Sequence, residues 1–170
     1  MTNKMITDNE IRSLSQAEQF FNMAEAYVDA AVLQTSAVQK NADSSWPDAS
    51  VALFLAAHGT ELFLKAEILK RNSSKVVKDF SHSIRELLIE YRLLYPEPEY
   101  NCDFPFDFDE ILSSMPKGVQ DEINSPSMVF RYTVNKKNSQ WQILNGFVAS
   151  SFLVELRQLK QSMADLRLIF

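Results

Sequence analysis

The stretch Ala56-Ala57-His58-Gly59-Thr60-Glu61-Leu62-Phe63-Leu64-Lys65-Ala66-Glu67-Ile68-Leu69-Lys70-Arg71 decides the fold. It holds no proline, and with Phe54 and Leu55 before it the apolar positions Leu62, Phe63, Ala66 and Leu69 recur at spacings of three, four and seven. That period belongs to a helix with one wide apolar stripe turned toward a core. Glu61 and Lys65 lie one turn apart with the acid first, the order that supports a helix by about 0.3 kcal/mol. His58 shares the face of Phe54 and Leu62, where a hydrogen-bonded core histidine is expected. Gly59 costs about 1 kcal/mol of helix propensity relative to alanine, so it predicts close approach of another helix.

Upstream, Thr7 with Glu10 has capping-box spacing, and Ile11, Leu14, Ala17, Phe20, Phe21, Ala24, Tyr27, Val28 and Ala31 keep a helical period. They predict a helix from about Asp8 to Val38. Trp46-Pro47 interrupts, because the residue before proline is pushed toward extended conformations. Trp46 is expected to plug a bundle end, and the central helix to run from about Asp48 to Asn72, its Lys70-Arg71 pair suiting the negative end of the dipole.

Downstream, Ser83 with Glu86 predicts a capped helix on the stripe Ile84, Leu87, Leu88, Tyr91, Leu94 and Tyr95, ended by Pro96 and Pro98. From Glu97 to Ser139 the prolines divide the chain into short pieces. A short helix from Asp107 to Met115, capped by Asp107 with Glu110 and stapled by Phe106 to Ile111, and a turn or two from Val119 to Asn124 are expected; Met128 to Val134 reads as loop. Ser139 with Gln142 predicts the cap of a last helix that continues to the chain end on Phe152, Leu156, Leu159, Met163, Leu166 and Phe170. The expectation is an all-α, up-and-down helical bundle of about four to five main helices, with a Pro-rich loop excursion before the C-terminal helix. One domain spans 1–170, a length that supports one sizeable core.

Composition excludes several classes of function. Apolar content of 46% and charged content of 23% are those of an ordinary folded domain. No window approaches a membrane span and the polar start is no signal peptide, so a cytoplasmic protein is expected. Cys102 is the single cysteine, which excludes an internal disulfide and agrees with a reducing compartment. The three glycines, Gly59, Gly118 and Gly146, form no phosphate-cradling cluster, so a P-loop and a dinucleotide fingerprint are excluded. A net charge of −5 repels polyanions, and a nucleic-acid surface would have to be a local basic patch.

Such a patch exists in Arg131, Tyr132, Lys136, Lys137 and Trp141, cations and rings able to hold a phosphate and stack a base; a solvated turn is the plainer alternative. For metal, His58, His82 and Cys102 have no zinc-ligand spacing, and Asp103, Asp107, Asp109 and Glu110 lack the pattern of a calcium loop; helix capping explains these acids, and no metal or cofactor is expected. No Gly-x-Ser-x-Gly elbow is present.

The strings Glu61-Leu62-x-Leu64-Lys65-Ala66 and His82-x-Ile84-x-x-Leu87, with an Arg131-Tyr132 pair before the final helix, resemble the HEPN family of small helical domains. The resemblance touches the chain from about Val51 to Tyr132. It implies a helical bundle, commonly dimeric, and for many members a metal-independent ribonuclease whose site is an Arg, four to six intervening residues, then a His. There the guanidinium holds phosphate and the imidazole moves the proton of the attacking 2′-hydroxyl. This chain departs from that motif: neither His58 nor His82 has the required Arg upstream, and after Arg131 the corresponding places hold Lys136, Lys137 and Asn138. The resemblance therefore implies a non-catalytic binding module, a homodimer in the cytoplasm, associated with nucleotide or RNA, with a partner nucleotidyltransferase, or with defence and toxin-antitoxin systems. Its ligand site would gather Glu61, Lys65, His82 and Arg131, with Tyr132, Lys136 and Lys137 beside them. Glu61 and Lys65 have an equal structural reading as a buttress for the loop through Arg131. The rival readings are a ribonuclease using His82 with Arg131, and a purely structural protein-protein interaction domain.

Overall fold

The capping chemistry of the first long helix starts eight residues later than the sequence pattern suggested, and the break explains itself locally. In the computed structural model, which describes residues 7–109, 114–123, 126–132, 134, 139–141 and 146–168, the expected first helix is two: α1, Asn9–Arg12, and α2, Gln16–Lys40. Asp8, not Thr7, precedes α1 and makes no side-chain cap; its carboxylate takes Arg12 Nε at 2.6 Å instead. The capping box is Ser15 with Glu18: Ser15 Oγ accepts from Glu18 N at 3.3 Å and Ser15 N donates to Glu18 Oε2 at 2.9 Å. Two orphan donors are thus satisfied reciprocally.

Helix α3, Trp46–Arg71, begins two residues before the expected start. Pro47 lies in its first turn, where a missing N–H leaves no bond unmade, and Ser45 N donates to Asp48 Oδ2 at 2.9 Å. Trp46 therefore opens the helix and is 45% exposed, so it plugs no bundle end. From Gly59 through Leu69 every residue of α3 is buried, Glu61, Lys65 and Glu67 included. One stripe was expected. The C-terminal half is instead enclosed on all sides, while Val51, Phe54, Leu55 and His58 in the N-terminal half keep an exposed or half-buried face.

Helices α2 and α3 form an antiparallel hairpin. Its contact is as close as Gly59 predicted: a Cβ there would stand 2.8 Å from Val28 Cγ2 and 3.3 Å from the Ala24 carbonyl and Tyr27 Cβ. The small residues Ala24 and Ala31 on α2 and Ala52 and Ala56 on α3 are all buried. Removing that water-accessible surface is what holds two long helices together, at about 25 cal/mol per Å² of apolar area.

Helix α4, Ile84–Leu94, starts where expected, with Ser83 Oγ accepting from Glu86 N at 3.3 Å. Ile84, Leu87, Leu88, Tyr91 and Tyr95 are buried as predicted. It enters beside Glu61, through His82, and leaves beside Glu67, through Tyr95. The Pro-rich excursion then folds back over an aromatic layer in which Phe104 meets Tyr91 at 5.5 Å and Phe63 at 6.0 Å. Phe106 adopts φ 69°, a left-handed conformation costing a non-glycine residue about 1 kcal/mol, and its ring packs on Phe130 at 5.6 Å and Phe152 at 6.0 Å. The expected staple partner, Ile111, and the cap partner Glu110 lie outside the described residues; of the helix expected from Asp107 to Met115 the described residues show helix at Asp109, with Asp107 and Phe108 before it irregular, Ser114 in a turn and Met115 in a bend.

Two short helices follow: α5, Lys117–Ile123, and α6, Pro126–Arg131. The segment Met128–Arg131, read as loop from its apolar run, is helical because it packs Val129 and Phe130 into the core against α3, a tertiary contact that overrides weak propensity. The last helix, α7, is Ala149–Leu168 and starts ten residues after Ser139; Gln142 and Phe170 lie outside the described residues. Phe152, Leu156, Leu159, Met163 and Leu166 are buried as predicted. Helix α7 runs antiparallel along α2, with Lys160 paired to Asp29 and Arg167 Nη1 to Glu25 Oε2 at 2.7 Å. The chain is an all-α helical bundle; among the described residues the one β-like feature is an isolated bridge between Val134 and Gln140. None of the described helices is long and apolar enough to cross a membrane.

Candidate functional site

Glu61 sits where the closed half of α3 begins, 3% exposed. A carboxylate so placed must find partners, and it finds three cationic or cation-forming groups. Lys65 Nζ, one turn on and itself buried, donates to Glu61 Oε1 at 2.6 Å. His82 Nδ1 stands 2.9 Å from the same oxygen. His58 Nδ1 stands 3.9 Å from Oε2, an ion-pair distance too long for a hydrogen bond. Burial by itself pushes the Glu61 carboxyl up, but His58, Lys65 and His82 together hold it down to about 2. The group is ionised throughout the physiological range, and Lys65 is its firmest partner.

His82 is fixed by its neighbours along the chain. Ser83 N donates to Ser81 Oγ at 3.0 Å, and Ser83 then caps α4, so the residue between them is held at the helix entrance. Its side chain is 83% exposed even though its Nδ1 touches a buried carboxylate. Because an ionised carboxylate only accepts, Nδ1 carries a proton in the neutral ring and Nε2 is left facing water. Lys65 is held from the other side by Phe80, whose ring centroid lies 6.0 Å from Nζ.

His58 belongs to an aromatic stack. It meets Tyr27 edge-on at 4.6 Å and lies parallel to Phe54 at 6.0 Å. The Arg131 guanidinium lies over Phe54, 4.8 Å from the ring centroid, a contact worth about 0.5–1 kcal/mol at an exposed site. The end of α6 thereby delivers an exposed guanidinium to the half-open face of α3.

Of the residues expected at the site, Glu61, Lys65 and His82 share one carboxylate. Arg131 lies instead on Phe54, which stacks on His58, and the expected buttressing through Arg131 is not what engages Glu61 and Lys65, whose contacts are with each other, His58, His82 and Phe80. Tyr132 is 48% exposed, and its carbonyl accepts from Trp141 Nε1 at 2.6 Å. Lys136 and Lys137 lie outside the described residues. His58 was read as a core residue, yet it takes part. The signal was its spacing: His58, Glu61 and Lys65 fall three and four apart, on one face.

Other polar groups are engaged elsewhere. Asp107 pairs with Arg92, and Asp109 Oδ1 accepts from Arg85 Nε at 2.8 Å. Among the described residues no group of three or more His, Cys, Asp or Glu is arranged to hold a metal ion. Burial pushes the Cys102 thiol up against hydrogen bonds with Ser162 and Tyr91, which disfavours a nucleophilic thiolate. Beside it a cleft of about 320 Å³ is lined by Tyr91, Tyr95, Tyr100 and Phe104. Two of its hydroxyls are committed, Tyr91 to the Tyr100 carbonyl at 2.9 Å and Tyr95 to Glu67. No protein-family model, curated protein or solved structure matches this chain.

Proposed function

We propose that the protein is a HEPN-like binding module, without catalytic activity of its own, that takes an anionic nucleotide or RNA at the surface over Glu61. One observation carries the reading: an exposed His82 is held by a buried, ionised Glu61 at 2.9 Å, and about two turns earlier on α3 Phe54 carries an exposed Arg131. A structural ion pair needs only Lys65, whereas an exposed imidazole and an exposed guanidinium supply donors that a phosphate accepts. Tyr132 offers a ring on which a base can stack. The resemblance adds the rest of the proposal: a cytoplasmic homodimer, or an accessory subunit of a nucleotidyltransferase in a defence or toxin-antitoxin system.

Fluorescence anisotropy with a labelled RNA oligonucleotide, repeated with ATP as competitor, tests this. Binding that falls about tenfold in Arg131→Ala is expected, since one charge-assisted contact is worth about 1.5 kcal/mol. Equal binding by the variant, or none by either protein, would remove the support.

A second reading rests on the same pair. His82 with Nδ1 on a carboxylate and Nε2 toward water has the arrangement of a general base, which favours the ribonuclease alternative. Cleavage of RNA in the presence of chelator, lost in His82→Ala, would establish that reading over the non-catalytic one.

A further inference from the structure

Helix α2 is apolar on two opposite sides. Phe21, Ala24, Val28 and Ala31 recur at spacings of three, four and three and are buried in the core. On the other side Met23, Ala26, Ala30, Leu33 and Ala37 recur at spacings of three, four, three and four, so they form one straight stripe about 21 Å long. Met23 is 40% and Leu33 73% exposed; Ala26 and Ala37 are exposed and Ala30 is half-buried. The charges in the body of the helix lie on a third side, where Glu25 pairs with Arg167 and Asp29 with Lys160 of α7. A helix apolar on opposite sides belongs between two layers, and the outer stripe lies open.

We infer that this stripe is the seam on which a second copy of the chain docks, α2 antiparallel to α2 about a two-fold axis at Ala30. The resemblance implied a homodimer without giving it a face; the inference rests on that part of the reading and is independent of anion binding.

The order of residues in the stripe selects its own copy. Turned about Ala30, an antiparallel α2 sets Met23 opposite Ala37, Leu33 opposite Ala26, and Ala30 opposite itself. Each long side chain then meets a methyl group, the large-against-small alternation that lets two helices interdigitate, and the alanine at the axis lets the backbones approach. Continued outward, the same register sets Lys40 opposite Gln19, so no like charges meet. A two-fold contact requires a patch that complements itself in shape and in charge, and this one does both. A parallel copy in register would set Leu33 on Leu33 and Ala26 on Ala26, crowding one level and leaving a void at the next.

Sedimentation equilibrium of the full chain over about a hundredfold range of concentration tests this. The expected result is a dimer that dissociates on dilution. Leu33→Glu should raise its dissociation constant at least about a hundredfold, because each copy would bury a carboxylate without a partner. Its far-UV circular dichroism should match wild type, since Leu33 stands outside the core of one copy. If that variant fails to fold, two cysteine variants in a Cys102→Ser background carry the test. Ala30→Cys puts the thiols on the axis, and mild oxidation should link two copies; Leu33→Cys puts them opposite Ala26 and should not. A wild type monomeric at every concentration would overturn the inference together with the homodimer it rests on, and would leave the site over Glu61 standing. A dimer unchanged by Leu33→Glu, or equal linking by the two cysteine variants, would overturn the face alone.

Discussion

Two buried glutamates lie less than two turns apart on α3, and they end in opposite situations. Glu61 and Glu67 are each almost or fully inaccessible, and each takes a lysine from its own helix at 2.6 Å, Lys65 and Lys70 respectively. Their third partners differ. Glu67 takes the buried Tyr95 hydroxyl, which donates to its carboxylate at 3.2 Å and to its backbone carbonyl at 2.9 Å. Burial first, and then the charge of Glu67, push that phenol up, so it stays a donor. Arg71 over the Tyr95 ring at 4.6 Å closes the end. Glu61 instead takes an exposed histidine. The same local device, an acid and a base on one helix, is a sealed brace at one position and the floor of an accessible site at the other. What decides is whether the third partner faces solvent.

The largest effect should fall on the sealed side. Glu67→Ala empties a fully buried side-chain site, takes the carboxylate from Lys70 and leaves the Tyr95 hydroxyl only the backbone carbonyl of residue 67, and it should cost about 3 kcal/mol in urea unfolding without changing anion binding. Glu61→Gln should cost about 2 kcal/mol near neutrality, and the loss should depend on pH. The folded-state value of Glu61 is depressed, from an ordinary 4.5 to about 2. Its contribution is therefore present above about pH 4.5 and lost as pH falls toward about 2, because the unfolded chain takes the proton first. Wild type and Glu61→Gln should converge in stability over that interval. A constant gap would show that Glu61 gains nothing from its partners.

Gly59 separates the two halves of α3. Gly59→Ala gains helix propensity, but its methyl would have to displace Val28 Cγ2 from 2.8 Å against a backbone carbonyl at 3.3 Å. A net loss of about 1 kcal/mol is expected, read as a lower thermal midpoint, with the disturbance at Tyr27 and His58 rather than at Tyr95. His82→Gln should be the mildest. An exposed ring contributes little to folding, about 0.5 kcal/mol or less.

The helical class, the stripes of α4 and α7, the Ser83 cap and the close approach at Gly59 were legible because each depends on residues near in sequence or on a period. The break at Ser13–Leu14 was hidden by an unbroken apolar period, although Ser15 with Glu18 carried the capping spacing all along. Helix α6 was missed because its stability comes from Val129 and Phe130 docking on α3, which no local pattern records. At the site, Glu61 with Lys65 was legible as a helical pair. The contact of His82 with Glu61 closes a separation of 21 residues and was suggested only by the resemblance. His58 was underread because a histidine on an apolar stripe is usually satisfied inside the core. The sealing of Glu67 depends on Tyr95, 28 residues away, and nothing local distinguished it from Glu61.

The contrast between the two glutamates is tested most directly by His82→Gln, measured for both urea unfolding and 5′-AMP affinity at about pH 6. The expected result is stability within about 0.5 kcal/mol of wild type and affinity lower by about tenfold. Unchanged affinity with a clear loss of stability would contradict it, and would make Glu61 a brace like Glu67.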